Sequence, residues 1–202
     1  MAKILPTEEN FLLLFHRDNP LDSSVEFMRI WKQFDKDRSG FIEADELKNF
    51  LRHLLQKAKP NYPVDESKLI EYTSSILELF DQNKDGKLQL SEMARLLPVK
   101  ENFLCRPFFK SAAHITEEDI DKAFSLYDFD GNNTIENEEL EGFLKDLLEL
   151  AQEDYDDQDL AFFKRVILNQ WDVNRDGKIN REELKMMLMQ QSRLMQNAEA
   201  QK

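Results

Sequence analysis

Four twelve-residue stretches of this chain carry oxygen-bearing side chains at matching places. They read DKDRSGFIEADE from Asp35, DQNKDGKLQLSE from Asp81, DFDGNNTIENEE from Asp128 and DVNRDGKINREE from Asp172. Each begins with Asp and ends with Glu, and Asp, Asn or Ser stands at the third and fifth positions. Carboxylate, amide and carbonyl oxygens at these intervals suit a hard divalent cation, which takes six to eight oxygen ligands at about 2.3–2.6 Å.

The spacing matches the EF-hand calcium loop. In such a loop the side chains at positions 1, 3 and 5, the backbone carbonyl at position 7, position 9 (often through water) and a bidentate Glu at position 12 surround the ion. The predicted metal ligands are Asp35, Asp37, Ser39, Phe41, Glu43 and Glu46; Asp81, Asn83, Asp85, Lys87, Gln89 and Glu92; Asp128, Asp130, Asn132, Thr134, Glu136 and Glu139; Asp172, Asn174, Asp176, Lys178, Asn180 and Glu183. The sequence thus predicts up to four bound Ca²⁺ ions, with Mg²⁺ as a competitor.

The third loop departs from the pattern at position 6, where a sharp turn requires a positive φ. Gly40, Gly86 and Gly177 meet this requirement, whereas the third loop has Asn133. Asn tolerates the left-handed region better than most residues. We therefore expect the third loop to bind calcium more weakly than the others; the alternative is that it folds without metal.

Helical periodicity on both sides of each loop predicts an all-α fold of four helix–loop–helix units. Ser23 with Glu26, and Thr116 with Asp119, mark helix starts. EF-hands associate in pairs, so Ile42 is expected to face Leu88, and Ile135 to face Ile179. The predicted organisation is an N-terminal arm at 1–21, one pair at 22–98, a linker at 99–111, a second pair at 112–195 and a tail at 196–202.

The formal charge of −13 comes from 40 acidic against 27 basic residues. This balance argues against a nucleic-acid partner, because no basic patch is present to neutralise phosphates. A single cysteine, Cys105, allows no intramolecular disulfide and fits a reducing compartment. No apolar run approaches a membrane span of about 20 residues. We expect a cytoplasmic location, with nuclear entry open, and we identify no catalytic residue.

A second repeat links the start of the chain to its middle. MAKILPTEENFLLLF from Met1 resembles MARLLPVKENFLCRP from Met93, and the latter begins in the exit helix of the second hand. The repeat predicts that residues 1–21 contain the stub of a preceding exit helix and that the chain corresponds to the last four hands of a longer array. A simple N-terminal arm is the alternative.

Several segments resemble the calbindin, calretinin and secretagogin family of proteins with six EF-hands, and the likeness is greatest to invertebrate calbindins. They are ILPTEENFLLLF, NPLDSSVEFM, SGFIEADELKNFL, DGKLQLSEMARLLPVKENFL and ELEGFLKDLLEL. The resemblance implies a calcium-binding protein that buffers cytosolic calcium, with partner binding in some members. It also implies that a first pair of hands is missing.

Three functions remain open from the sequence. A calcium buffer binds ions and needs no partner, whereas a calcium sensor exposes an apolar groove that takes a target protein or helix in its calcium-loaded state. Adaptable grooves are often rich in Met, and four methionines lie in the last predicted helix, namely Met186, Met187, Met189 and Met195. Alternatively, Met187 is a core residue and the others face solvent. A third hypothesis is a regulatory piece of an enzyme or scaffold.

Overall fold

The computed structural model of the protein describes residues 21–58, 65–100, 102, 104, 115–151 and 154–199. Helices make up most of this part of the chain, and four short strands form two separate two-stranded sheets. The all-α fold class with two-stranded contacts between paired loops is confirmed. The predicted stub before Leu21 lies outside the described residues, and so does Cys105.

The described elements follow the predicted order of helices and loops. They are α1 (Ser24–Phe34), β1 (Ile42–Glu43), α2 (Ala44–Ala58), α3 (Glu66–Phe80), β2 (Lys87–Leu88), α4 (Leu90–Leu96), α5 (Glu117–Tyr127), β3 (Thr134–Ile135), α6 (Asn137–Ala151), α7 (Asp157–Trp171), β4 (Ile179–Asn180) and α8 (Arg181–Glu199). No helix in these described ranges has both the length and the apolar character needed to cross a membrane.

The chain divides into two compact units, each containing one pair of loops. Of the described residues, unit 1 contains Leu21 and Ile30–Lys100. Unit 2 contains Asp22–Arg29 and the described residues beyond position 101. The first turns of α1 are thus grouped with the second pair of loops, whereas the sequence places the whole helix with the first pair.

Unit 1 is built around aromatic and aliphatic side chains from both of its hands. Phe34, the last residue of α1, packs edge-to-face on Phe50 of α2, with 5.1 Å between the ring centroids and 77° between the ring planes. Ile42 pairs with Leu88 across β1 and β2, as the sequence predicts, and both are fully buried. The pairing joins the two loops of the unit through their backbones.

Unit 2 repeats this arrangement at the corresponding positions. Tyr127, the last residue of α5, packs edge-to-face on Phe143 of α6, with 5.1 Å between the centroids and 78° between the planes. Ile135 pairs with Ile179 across β3 and β4, which confirms the predicted register. The predicted cap at Thr116 is also present, since its Oγ1 accepts a hydrogen bond from the backbone N–H of Asp119 at 3.2 Å.

Unit 2 also buries a charged cluster on α6. The side chains of Lys145 and Asp146 are 1% and 2% exposed, and Lys145 forms an ion pair with Glu149. Ser24 Oγ donates to Asp146 Oδ1 at 2.5 Å, and the Tyr127 hydroxyl donates to Oδ2 at 2.6 Å. Burial raises the pKa of Asp146 to about 6, although Lys145 and the two hydroxyl donors act in the opposite direction.

The first turns of α1 pack closely on α6 inside unit 2. A Cβ placed on Gly142 would lie 2.8 Å from the backbone carbon of Ser24 and 2.8 Å from the backbone nitrogen of Val25. The Lys145 ammonium lies 4.9 Å from the ring centroid of Phe27. Gly142 therefore allows a backbone-to-backbone approach that a side chain would block.

A surface ion-pair network connects α5 and α8 of unit 2. Arg181, at the start of α8, contacts Glu117 at 2.9 Å and Asp121 at 2.5 Å, both on α5. Lys185 also forms an ion pair with Glu117. Hydrogen bonds from Lys185 and Arg181 lower the pKa of Glu117. These contacts tie the entry helix of the third hand to the exit helix of the fourth.

Candidate metal centres

Each loop begins where an entry helix ends, so the helix positions the first predicted ligand. Asp81, Asp128 and Asp172 are the C-terminal caps of α3, α5 and α7, and each donates its backbone N–H into the last helical turn. Asp35 likewise donates its backbone N–H to the Trp31 carbonyl at 2.9 Å. The carboxylate at position 1 is therefore fixed to the end of a packed helix.

The position-1 carboxylate also organises the turn of its own loop. In every loop its Oδ2 accepts a hydrogen bond from the backbone N–H at position 6. The four contacts are Gly40 to Asp35 at 3.2 Å, Gly86 to Asp81 at 2.8 Å, Asn133 to Asp128 at 3.1 Å and Gly177 to Asp172 at 2.8 Å. The third loop, despite its Asn, keeps this contact.

The position-12 glutamates are turned inward from the exit helices. In each loop one carboxylate oxygen accepts from the backbone N–H at position 2 and the other from the N–H at position 9. The pairs of distances are 2.9 and 3.2 Å at Glu46, 2.7 and 3.1 Å at Glu92, 2.9 and 3.3 Å at Glu139, and 2.9 and 2.9 Å at Glu183. The final Glu of every loop therefore closes over the loop backbone.

Positions 4 and 6 have a positive φ in every loop, and the sequence pattern predicts only position 6. The third loop adds Asn137 at position 10, with φ 50°. Asn133 has φ 64°, and the glycines at position 6 of the other loops have φ between 79° and 85°. Position 4 is left-handed as well, at Arg38, Lys84 and Arg175, whereas the third loop has Gly131 there. The third loop thus has its glycine two residues earlier than the others. Arg and Lys, which occupy position 4 in the other three loops, carry no turn signal, so the sequence does not predict a common turn there.

The carboxylates of the first and third loops converge most closely. Ligand oxygens of Asp35, Asp37 and Glu46 lie within 4.8 Å of one another, and those of Asp128, Asp130 and Glu139 do the same. The second and fourth loops have an amide at position 3, from Asn83 and Asn174. All four donor sets consist of hard oxygens, which is the chemistry that Ca²⁺ and Mg²⁺ prefer.

Two observations show that the first and third loops suit a bound cation. Burial raises the pKa of Asp35, with smaller contributions in the same direction from the charges of Glu46 and Asp37. In the third loop Asp128 Oδ1 is buried and has no hydrogen-bond partner within the described structure. An oxygen of this kind costs free energy unless it is satisfied. A divalent cation would satisfy it and offset the repulsion among the acids.

The position-9 side chains differ from one another. Glu43 is exposed. Gln89 Nε2 donates to Ser91 Oγ at 3.1 Å, and Asn180 Oδ1 accepts from two backbone amides at the start of α8, both at 3.0 Å. Glu136 forms an ion pair with Lys178 at 2.7 Å, a contact that raises the pKa of Lys178. These contacts fit the weaker, often water-mediated role expected at position 9.

Comparison with known proteins places these loops among characterised sequences. The family described as EF-hand domain pair matches residues 25–97 and 117–192. Calbindin-32 of Drosophila melanogaster is 64% identical over 190 residues, which cover 94% of this chain and 61% of that protein. Human secretagogin is 49% identical over 187 residues (91% and 66%), and human calbindin is 50% identical over 188 residues (93% and 69%). The chain spans less than two thirds of the length of the first two relatives.

Proposed function

The chain belongs to the calbindin and secretagogin family of EF-hand proteins, and from this premise we propose that it binds up to four Ca²⁺ ions and buffers cytoplasmic calcium. The observation that carries the proposal is the inward-turned Glu at position 12 of every loop, because a loop without this carboxylate loses its bidentate ligand. The proposed ligands are the six positions of each loop named above. Mg²⁺ is a proposed competitor, with fewer ligands and stricter octahedral geometry.

Charge supports storage of several ions by one chain. Four ions of charge +2 would bring the formal charge from −13 to about −5. The protein therefore keeps a net negative charge while the last sites fill, and this charge does not repel the incoming ions. The loops provide the oxygens that replace water around each ion, while the paired strands hold the two loops of a unit together. Buffering requires only this binding and no opening of the helices.

A sensor role is the second candidate, and apolar exposure in the fourth hand favours it. Phe162 and Val166 on α7 are 55% and 40% exposed, and Met186 and Met189 on α8 are 43% and 36% exposed. Met187 is buried, in agreement with the alternative that the sequence left open for this residue. A target helix in the calcium-loaded state would find apolar anchors on these two helices.

One titration separates the two roles. Calcium is added to the metal-free protein while a dye that binds exposed apolar surface is monitored, and a variant with Met186→Gln and Met189→Gln is titrated in parallel. A buffer shows calcium binding with little change in dye signal. A large rise that the double variant loses would contradict pure buffering and support the sensor role.

A further inference from the structure

Two lysines hold the same loop position in the two units but have different partners. Lys87 and Lys178 both occupy position 7, in the second loop of their respective pairs. In unit 1, Glu43 and Lys87 are direct partners across β1 and β2. In unit 2, the pairing of Ile135 with Ile179 brings Glu136 beside Lys178 in the same way. Each lysine therefore lies opposite position 9 of the neighbouring loop.

In unit 2, Lys178 and Glu136 form an ion pair across the paired strands. Lys178 Nζ lies 2.7 Å from Glu136 Oε2, and the two side chains are 37% and 24% exposed. The other oxygen, Glu136 Oε1, accepts a hydrogen bond from Asn132 Nδ2 at 3.2 Å. Both oxygens of this proposed ligand are therefore engaged by the protein itself.

Unit 1 does not form the corresponding contact. The Lys87 ammonium lies 3.8 Å from the ring centroid of Phe41, in a cation–π arrangement. Within the described part of the chain, Glu43 has no ion-pair partner, and its side chain is exposed. Among the described residues, the position-9 carboxylate of the first loop thus has no ion-pair partner, whereas that of the third loop is paired with Lys178.

We propose that Lys178 is an affinity-setting residue for the third calcium loop, acting as an internal counter-cation that Glu136 must release when the loop takes its ion. This inference rests on the proposed function and adds how one of its sites is regulated. The physical reason is that a bound Ca²⁺ repels the nearby ammonium and competes with it for the same carboxylate. Lys178 belongs to the fourth loop but regulates the third.

The test is a site-resolved calcium titration by ¹H–¹⁵N NMR, in which the backbone amide of Asn133 reports on the third loop and that of Gly177 on the fourth. Lys178→Met should raise the affinity of the third loop roughly threefold to tenfold, the range expected for loss of a partly exposed ion pair and of a nearby like charge. Lys178→Arg should restore the affinity toward that of the wild type, because it keeps the cation facing Glu136.

Arg175→Met is the matched control. It removes one positive charge from the same loop, but at position 4, which forms no ion pair with Glu136 among the described residues, so the third loop should respond much less than to Lys178→Met. A second comparison uses the Glu136→Gln background, in which Lys178→Met should no longer change the affinity of the third loop. Equal effects of Lys178→Met and Arg175→Met would show a general charge effect and overturn the inference.

The titration also separates failure of this inference from failure of the proposed function. If none of the four loops shifts with calcium, the proposed function is wrong and the inference falls with it. If the loops bind normally and Lys178→Met matches the wild type at Asn133, only the role of Lys178 is refuted. A raised affinity that persists in the Glu136→Gln background would likewise refute it, because the effect would not pass through Glu136.

Discussion

The two units share an aromatic pair but surround it with different chemistry. Phe34 with Phe50, and Tyr127 with Phe143, have the same centroid separation of 5.1 Å and nearly the same angle between the rings. Beside Phe34 lies the ring of His53 at 5.7 Å. Beside Tyr127 lies the carboxylate of Asp146, which occupies the corresponding position of the second pair and accepts its hydroxyl hydrogen bond.

The two units also differ at the charged residue that precedes His53 in unit 1 and Asp146 in unit 2. Lys145 is buried in unit 2 next to Asp146 and Glu149. Arg52 stands at the matching place in unit 1, where its side chain is 28% exposed and pairs with the exposed Glu66 at 2.5 Å. The same ligand pattern is therefore carried by an apolar scaffold in unit 1 and by a scaffold with buried charges in unit 2.

The largest expected effect comes from removing the buried cation. Lys145→Met leaves Asp146 buried beside Glu149, so unit 2 should lose about 3–5 kcal/mol of unfolding free energy. Denaturant unfolding in calcium-free buffer at pH 7 measures this, with Trp171 as the reporter in a Trp31→Phe background.

The matched variant in unit 1 is Arg52→Met, which should cost no more than about 1 kcal/mol because it leaves no buried charge behind, its partner Glu66 being exposed. Here Trp31 reports in a Trp171→Phe background. Similar losses of unfolding free energy in the two units would contradict this expectation, since they would mean that burial of the charges makes no difference to stability.

The next effect concerns the close approach of α1 to α6. An exposed helical Gly→Ala change normally stabilises a helix by roughly 1 kcal/mol. Gly142→Ala should instead destabilise unit 2 by about 2 kcal/mol, because the new Cβ meets backbone atoms of Ser24 and Val25 at 2.8 Å. The measurement is the same unfolding experiment.

Asn49 is the residue of unit 1 that corresponds to Gly142, and it is only partly buried. Asn49→Ala should change the stability by less than about 1 kcal/mol. An increase in stability for Gly142→Ala would mean that the first turns of α1 do not pack on α6 as described.

A pH dependence should distinguish the units as well. The folded-state pKa of Asp146 is raised to about 6 from 3.8, so the folded state binds more protons than the unfolded state between these values. The stability contributed by this group is therefore present at low pH and falls as the pH rises, by about 1 kcal/mol between pH 5 and pH 7. Asp146→Asn should remove this part of the slope in calcium-free unfolding of unit 2. A steeper slope in the variant would contradict the assignment.

The smallest effect is expected at the left-handed turn of the third loop. Asn133→Gly relieves the φ of 64° but adds conformational freedom to the unfolded chain, so the calcium affinity of the third loop should rise by only about twofold to threefold. The reciprocal change, Gly177→Asn, should lower the affinity of the fourth loop by a similar factor. Site-resolved titration measures both affinities. A lower affinity for Asn133→Gly together with a higher affinity for Gly177→Asn would show that position 6 does not limit the third loop.

The loops and their pairing could be predicted from the sequence because they depend on local spacing. Twelve residues fix where Asp35 and Glu46 fall relative to one another, and position 8 fixes that Ile42 meets Leu88. The positive φ of Asn133 also followed from the place of the other glycines. These features need no knowledge of distant contacts.

The missed features depend on contacts between distant parts of the chain. Ser24 and Asp146 are 122 residues apart, and nothing near either residue indicates that they meet. Charged residues such as Lys145 are expected at the surface, so their burial contradicts the usual preference. The loop pattern predicts only a backbone carbonyl ligand at Lys178. The partner of its side chain depends on the register between two loops, which the pattern of one loop does not contain.

The central claim is that each of the four loops holds one calcium ion through its position-12 glutamate. Counting bound calcium per chain, by equilibrium dialysis at millimolar free calcium, tests it directly. We expect four ions for the wild type and three for each of the single variants Glu46→Gln, Glu92→Gln, Glu139→Gln and Glu183→Gln. A wild-type count below four, or a count that a substitution leaves unchanged, would contradict the account.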